Sequence, residues 1–478
     1  MELRERVTRA LIAAVGDERV VVDQETLARY RGIAWGLPRS KLPLARPPAT
    51  AMVAVRPRTT ADVVAVVRVA QELGTPIVPH GSGTGVHAGA APVRDSILLD
   101  LGAMNRIIEI RRDDRMARVE PGVLLADLDV AAHAHDLMVG HDPWSQALAT
   151  VAGAVSTNGV GYLAGKYGGM GEQVLGLEVV LATGDVLRTS MVPKQSTGPG
   201  LRNLFIGAEG VLGIITEVDL RLFGVPERRA VTGYRFPRFE AGLAAEIEFA
   251  QVHLRPAMID YEEDDPPPGA LRPGELIDIP APMFLTFDGF TEQVEAELAR
   301  ADAICTQYGG VRIWEEAQTF WENRHESADR WVKQMAEDPA SIISPDRGRR
   351  RGSVYLNVSL PPSMIPIYRD RACRELAAHR LALRSAAIWG MPELFSIRFQ
   401  HAVPDDPGAR EELEDAADYG MRLAQELGGS MEYCHGVGLG LAHLMEAELG
   451  VGFEALRRIK QALDPQGLLN PGKLALNA

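Results

Sequence analysis

The sequence predicts an α+β protein with two parts. The N-terminal half consists of short strands, helices and glycine turns, and the domain after it is built on an antiparallel sheet. Three observations carry this prediction. At 478 residues the chain is longer than one hydrophobic core organises. Glycine-rich turns follow short apolar strands repeatedly through the first 225 residues. From about Pro226, strands and amphipathic helices alternate with the strand–helix–helix–strand spacing of an antiparallel α+β domain. The expected division is 1–225, 226–430 and a C-terminal segment, 431–478.

Residues 1–50 read as a helix and then an extended, proline-rich arm from Leu37 to Pro48. Met52–Val55 reads as a strand. Pro57, Thr59 and Thr60 open a helix whose Val63, Val64, Val66, Val67 and Ala70 recur at helical spacing until Gly74 stops it. Pro76-Ile77-Val78 and Ile97-Leu98-Leu99 are short strands on either side of the turn Pro79-His80-Gly81-Ser82-Gly83-Thr84-Gly85. Ile107–Ile110 and Ala117–Val119 pair, and a helix follows from Leu125 to His135. Val174–Ala182 is an apolar strand that Gly184-Asp185 turns back into Val186–Arg188. Residues 204–222 read as a helix, a glycine turn and a strand. Beyond them, the strands Val231–Phe236, Met283–Gly289, Ser353–Leu360 and Leu394–Val403 alternate with helices at 240–251, 291–308, 365–379 and 409–427. A last helix begins at Phe453 and ends at Asp464-Pro465-Gln466-Gly467.

Charge and composition exclude several functions. A net charge of −14 argues against a nucleic-acid partner, which needs a basic face. No apolar run reaches the roughly 18 residues of a membrane helix. The charged start, Met1-Glu2-Leu3-Arg4-Glu5-Arg6, lacks the apolar centre of a signal peptide. Cys305, Cys373 and Cys434 are odd in number and widely spaced, which suits a reducing cytoplasm and no zinc site.

The turn at 79–85 leaves backbone N–H groups bare, so it can wrap a phosphate without a cationic side chain. Alone it is equally a tight strand connection. A second small-residue run, Thr150-Val151-Ala152-Gly153-Ala154-Val155-Ser156-Thr157-Asn158-Gly159-Val160-Gly161, reads either as a tightly packed helix and turn or as backbone that approaches a ligand closely. A third, Phe205 to Thr216, contains Glu209, Gly210 and Gly213.

Taken in order, PHGSGTG, GHDP with TVAGAVSTNGVG, LFIGAEGVLGIIT, CHGVGLG and ALDPQGLLNPGK resemble FAD-linked oxidoreductases of the vanillyl-alcohol-oxidase type. The resemblance is nearest to the glycolate oxidase, D-lactate dehydrogenase and D-2-hydroxyglutarate dehydrogenase branch. It implies a two-subdomain PCMH-type FAD-binding domain, an α+β substrate domain and a C-terminal piece returning to the flavin. It implies FAD held by Pro79, His80, Gly81, Ser82, Gly83, Thr84 and Gly85, and by Pro143, Thr150, Gly153, Ser156, Asn158, Gly159 and Gly161. Glu209, Gly210, Gly213, Ile215 and Asn470 complete the implied set. His80 precedes its glycines, whereas relatives that attach FAD to a His place it after them, so a non-covalent FAD is expected.

The resemblance also implies oxidation of a carbon bearing a hydroxyl, with hydride passing to the flavin and the proton to a base. The base falls on His435, in Cys434-His435-Gly436; a His beside Gly is otherwise a structural turn residue. Arg324, in Trp321-Glu322-Asn323-Arg324, matches a W-x-x-R whose Arg pins a substrate carboxylate, and an exposed ion pair is the plain alternative. Arg398 alternates with apolar neighbours and faces either a pocket or solvent. Tyr355 stands where the family has a substrate-binding Lys. Metal-holding members use two His of one strand and the Glu of E-H-G. Here that strand offers His401 alone and Cys434 replaces the Glu, so no catalytic metal is expected. The expected substrate is a 2-hydroxy acid or a related, bulkier alcohol. The electron acceptor (oxygen, a quinone or a carrier protein) and the oligomeric state, a homodimer included, stay open. Two other readings compete. One is an alkyl-dihydroxyacetonephosphate synthase-like flavoenzyme without net redox, suggested by Ser196–Pro199 and Phe236-Pro237-Arg238-Phe239. The other is a flavin-binding subunit without catalysis.

Overall fold

The computed structural model describes residues 2–30, 51–337 apart from 94 and 268, and 352–476 apart from 404, 405 and 407. The proline-rich arm at 37–48 and the basic run at 347–351 lie outside the described residues.

The first sheet has the strand order Val20–Val21, Val53–Val55, Ile97–Asp100, Ile77–His80, and its last three strands are parallel. The crossover helix Thr60–Leu73 is bounded as its sequence implies. The Thr59 side chain accepts from Asp62 N–H, the Asp62 carboxylate accepts in return, and Gly74 ends the helix at φ +61°. Val63, Val66, Val67 and Ala70 are buried against the sheet, and the N-terminal helix Glu2–Val15 packs on the same helix. The second sheet is antiparallel, in the order Ile107–Arg111, Met116–Val119, Ile214–Arg221, Val174–Val180, Val186–Arg188.

The third sheet has seven antiparallel strands. Their order is Val311–Arg312, Arg228–Phe236, Ala281–Gly289, Met258–Glu262, Leu381–Trp389, Leu394–His401, Ser353–Ser359. The sequence indicates four of these strands; besides the two-residue edge strand Val311–Arg312, it misses the two at the centre, Met258–Glu262 and Leu381–Trp389. The first is short, with acids on alternate residues, and the second is rich in alanine and carries Arg384 and Ser385, so local β-propensity is weak in both. Alternation gives the sheet two faces. Ile259, Tyr261, Met283, Leu285, Ile388, Phe395, Ile397, Leu356 and Val358 are buried in the core, beneath the helices Phe239–Gln251, Thr291–Gln307, Ile365–Leu376 and Ala409–Glu426. The opposite face carries Phe284, Asp260, Glu262, Trp389, Arg398, Tyr355 and Asn357, all on the wall of one cavity.

After the helix Val451–Leu463 the chain returns to the first sheet. Ile77 N–H donates to the Leu468 carbonyl, and Asn470 N–H donates to that of Ile77. Lys460, buried, anchors the return by donating to the carbonyls of Val211 (2.7 Å) and Leu469 (2.9 Å). The far end of the chain is thereby placed beside the first glycine turn.

Candidate active site

The cavity between the glycine turns and the polar face of the third sheet measures about 1380 Å³. An ordinary ligand site is about 300–1,000 Å³, so this one has room for a dinucleotide and a substrate together. One wall is mostly backbone. It is lined by residues 79–85, by Pro143, Thr150, Gly153, Ser156, Gly159 and Gly161, and by Glu209, Gly210, Gly213 and Ile215. The turns meet at van der Waals limits: a Cβ on Gly81 would lie 2.6 Å from Thr150 Oγ1. Thr150 caps the helix Val151–Thr157 by accepting from Gly153 N–H. Two buried ring nitrogens on this wall, His80 Nδ1 and His141 Nδ1, have no hydrogen-bond partner among the described residues. Burial lowers both imidazole pKa values, that of His141 to about 4. Open backbone and unpartnered neutral imidazoles fit a phosphate-bearing cofactor of FAD's size.

Two expected cofactor residues stand off the wall. Asn158 is the left-handed cap of the 151–157 helix, at φ +52°, and its Oδ1 accepts from Gly171 N–H. Asn470 is buried, and its Nδ2 donates to the carbonyls of Gly89 (2.9 Å) and Glu209 (2.6 Å). Both shape turns instead of facing the cavity. Glu209, also buried, accepts from the N–H groups of Val437 and Gly438 and so ties the C-terminal segment to the third glycine turn. Gly438 passes so close to the first loop that a Cβ there would lie 1.9 Å from the His87 carbonyl oxygen.

His435 lines the cavity where this segment crosses it. Its Nδ1 lies 3.4 Å from Glu432 Oε1 and 3.4 Å from Asn357 Nδ2. Glu432 Oε1 accepts three consecutive backbone N–H groups, those of Tyr433 (3.0 Å), Cys434 (2.8 Å) and His435 (3.0 Å). His87 Nε2 lies 3.1 Å from the other oxygen, Oε2. Burial opposes charge on Glu432, yet His435 and His87 hold its carboxyl well below the usual carboxylate range. Burial likewise pulls the His435 pKa down, and the Glu432 charge and hydrogen bond more than reverse it.

The sequence-based expectation of no metal rested on Cys434 replacing a Glu and on a lone His401. His401 is indeed elsewhere, with Nδ1 2.8 Å from the Val403 carbonyl and Nε2 3.2 Å from Glu412. The carboxylate, however, is present: Glu432 supplies it from two residues upstream of Cys434. With His87 and His435 it brings three ligand atoms within 4.8 Å of one another, a donor set that suits a divalent ion. Sequence reasoning missed Glu432 and His87. The available signals were the E-x-x-H spacing of Glu432 and His435 and a His two residues past Gly85.

Tyr355 and Arg398 line the sheet wall as cross-strand partners, and Ser385 stands opposite Arg398 on its other side. Arg324 does not reach the cavity. Its Nε donates to Asp142 (3.0 Å), its Nη1 donates to the Trp321 carbonyl (2.8 Å), and the guanidinium lies 3.8 Å over the Trp321 ring. His325 Nε2 takes the other oxygen of Asp142 at 2.8 Å. The buried Asp142 carboxylate therefore neutralises the charge expected to hold a substrate.

Comparison with known proteins identifies the family. The FAD binding domain family matches residues 51–190, and the family of FAD linked oxidases, C-terminal domain, matches residues 225–474. A D-lactate dehydrogenase of Archaeoglobus fulgidus is 29% identical over 431 residues, covering 88% of this chain and 91% of that one. A glycolate oxidase subunit of Bacillus subtilis is 29% identical over 427 residues, 88% of each chain. Among solved structures, 4-ethylphenol oxidase from Gulosibacter chungangensis superposes with a TM-score of 0.75 at 23% identity, covering 99% of this chain and 97% of that one.

Proposed function

The chain belongs to the family of FAD-linked oxidases, and on that premise we propose that it oxidises the hydroxyl-bearing carbon of a 2-hydroxy acid or a closely related alcohol, with His435 as base. The observation that carries this reading is the carboxylate-backed imidazole on the cavity wall. Glu432 faces Nδ1, and Nε2, with Cys434 Sγ 3.4 Å away, is the nitrogen that meets a substrate hydroxyl. As the C–H bond breaks, the hydroxyl proton passes to Nε2, the alcohol becomes a carbonyl compound, and Glu432 balances the imidazolium that forms. Bound FAD supplies the two-electron acceptor for the hydride leaving that carbon. Residues 81–85, Thr150–Gly153 and Glu209–Gly213 would hold it, without a covalent bond. Arg398 and Tyr355 are the candidate anchors for the substrate carboxylate. The relatives that oxidise D-lactate and glycolate support a 2-hydroxy acid.

The test is anaerobic mixing of the holoprotein with D-2-hydroxy acids while flavin absorbance is followed. Bleaching is expected, and His435→Ala should slow it by about 10²–10⁴-fold with flavin content unchanged. A variant that bleaches at the native rate removes His435 as base. Turnover of an acyl-dihydroxyacetone phosphate without bleaching would favour a synthase.

A further inference from the structure

We infer that the substrate is a 2-hydroxy acid with an aromatic side chain that carries a hydrogen-bond donor at its far end, and that Asp260 receives this donor. The inference rests on the proposed function and narrows its substrate. Asp260 lies on the cavity wall, 6% exposed, and its carboxyl makes no hydrogen bond to any described residue. A desolvated carboxyl is costly to leave unpaired, so a ligand that bonds to it gains relative to one that does not.

The walls around Asp260 are aromatic. Phe284 and Trp389 are its cross-strand neighbours on either side. Phe320 stacks on Phe284 with ring centres 4.7 Å apart, and Tyr162 lies 6.4 Å from both Phe320 and Trp389. Four rings thus collar one acid, a lining that suits the faces of an aryl group. Sheet register sets the length of the occupant. Ser385 faces Arg398, and Trp389 faces Asp260, so the two residues are two strands and four positions apart. At about 4.8 Å per strand and about 3.4 Å per residue, their backbones are about 17 Å apart. A two- or three-carbon hydroxy acid anchored at Arg398 leaves Asp260 untouched, whereas an aryl side chain extends towards it. Burial, with Glu262 alongside, pushes the Asp260 carboxyl up to about 8. A hydroxyl and an ammonium group are both donors it can receive.

The test compares D-lactate, D-phenyllactate, D-4-hydroxyphenyllactate and D-4-(aminomethyl)phenyllactate as anaerobic reductants of the holoprotein's flavin. At least one of the two donor-bearing acids should exceed D-phenyllactate by at least about tenfold in kcat/KM, and the more efficient of them identifies the donor. In Asp260→Leu, and in the shape-conserving Asp260→Asn should the first fail to fold, that ratio should fall towards one. Equal efficiencies in the wild type, or a ratio unchanged in the folded variants, overturn the inference while His435-dependent bleaching leaves the proposed function standing. Absence of bleaching by all four acids overturns both.

Discussion

At the glycine-turn end of the cavity, a ligand meets backbone that three loops bring together. At the sheet end it meets side chains that strand register delivers from separate parts of the chain. The first wall is shaped by the absence of side chains and has little tolerance for addition. The second is shaped by which side chains face inward, so a substitution there changes chemistry more than architecture. The Cys434–Gly438 stretch belongs to both: its Gly438 presses against the first loop, its Gly436 against Glu209, and its histidine lines the cavity near Asn357 of the sheet.

If this difference holds, Gly438→Ala should be the most damaging single change. Its φ of +50° and the 1.9 Å approach to a backbone oxygen leave no room for a methyl group. The expected result is purified protein with little or no flavin, read as the ratio of flavin to protein absorbance. A fully flavin-loaded variant would break the comparison at its strongest point.

Asp142 joins the two ends, because its loop lines the cofactor side while Arg324 and His325 reach it from the substrate side. Asp142→Asn should cost about 3 kcal/mol in denaturant unfolding. Burial alone would raise the Asp142 pKa, but the His325 hydrogen bond and the Arg324 charge bring it below the ordinary value. Its contribution is therefore present above the carboxylate range and lost as pH falls through it, so the variant's stability should vary less with pH on the acid side. An unchanged acid limb would show that Asp142 does not hold this seam.

Glu432→Gln sharpens the sheet end. Removing the charge that raises the His435 pKa should move the acid limb of the pH–rate profile to lower pH and slow flavin reduction about tenfold, or about 1.4 kcal/mol. A limb that stays in place would mean that His435 is not the titrating base. The smallest effect should come from exhaustive dialysis of the holoprotein against a chelator, with the rate expected to stay within about twofold because both Glu432 oxygens already have hydrogen-bonding partners, Oε1 three N–H donors and Oε2 His87 Nε2 at 3.1 Å. A large loss restored by added zinc or manganese would instead assign His87, Glu432 and His435 to a metal.

The turn at 79–85 is a local object: strand, glycines and strand adjoin in sequence, and its place on the cavity wall follows from residues that are neighbours. His435 was legible for the same reason, as one residue of a recognisable run. Arg324 was misassigned because its partner, Asp142, lies 182 positions away. Nothing in Trp321-Glu322-Asn323-Arg324 shows that the charge is already spent. Asp260 and Trp389 were invisible because they sit on the two central strands whose local composition does not favour strands.

From sequence alone come the α+β class, the glycine turns and the histidine at the far end of the chain, because each is encoded in contiguous residues whose backbone preferences are local. The tertiary structure alone decided that Glu432 stands behind that histidine, that Arg324 is neutralised, and which side chains of seven strands face one cavity. Those facts depend on register and long-range pairing, in which a one-residue shift turns every side chain to the opposite face.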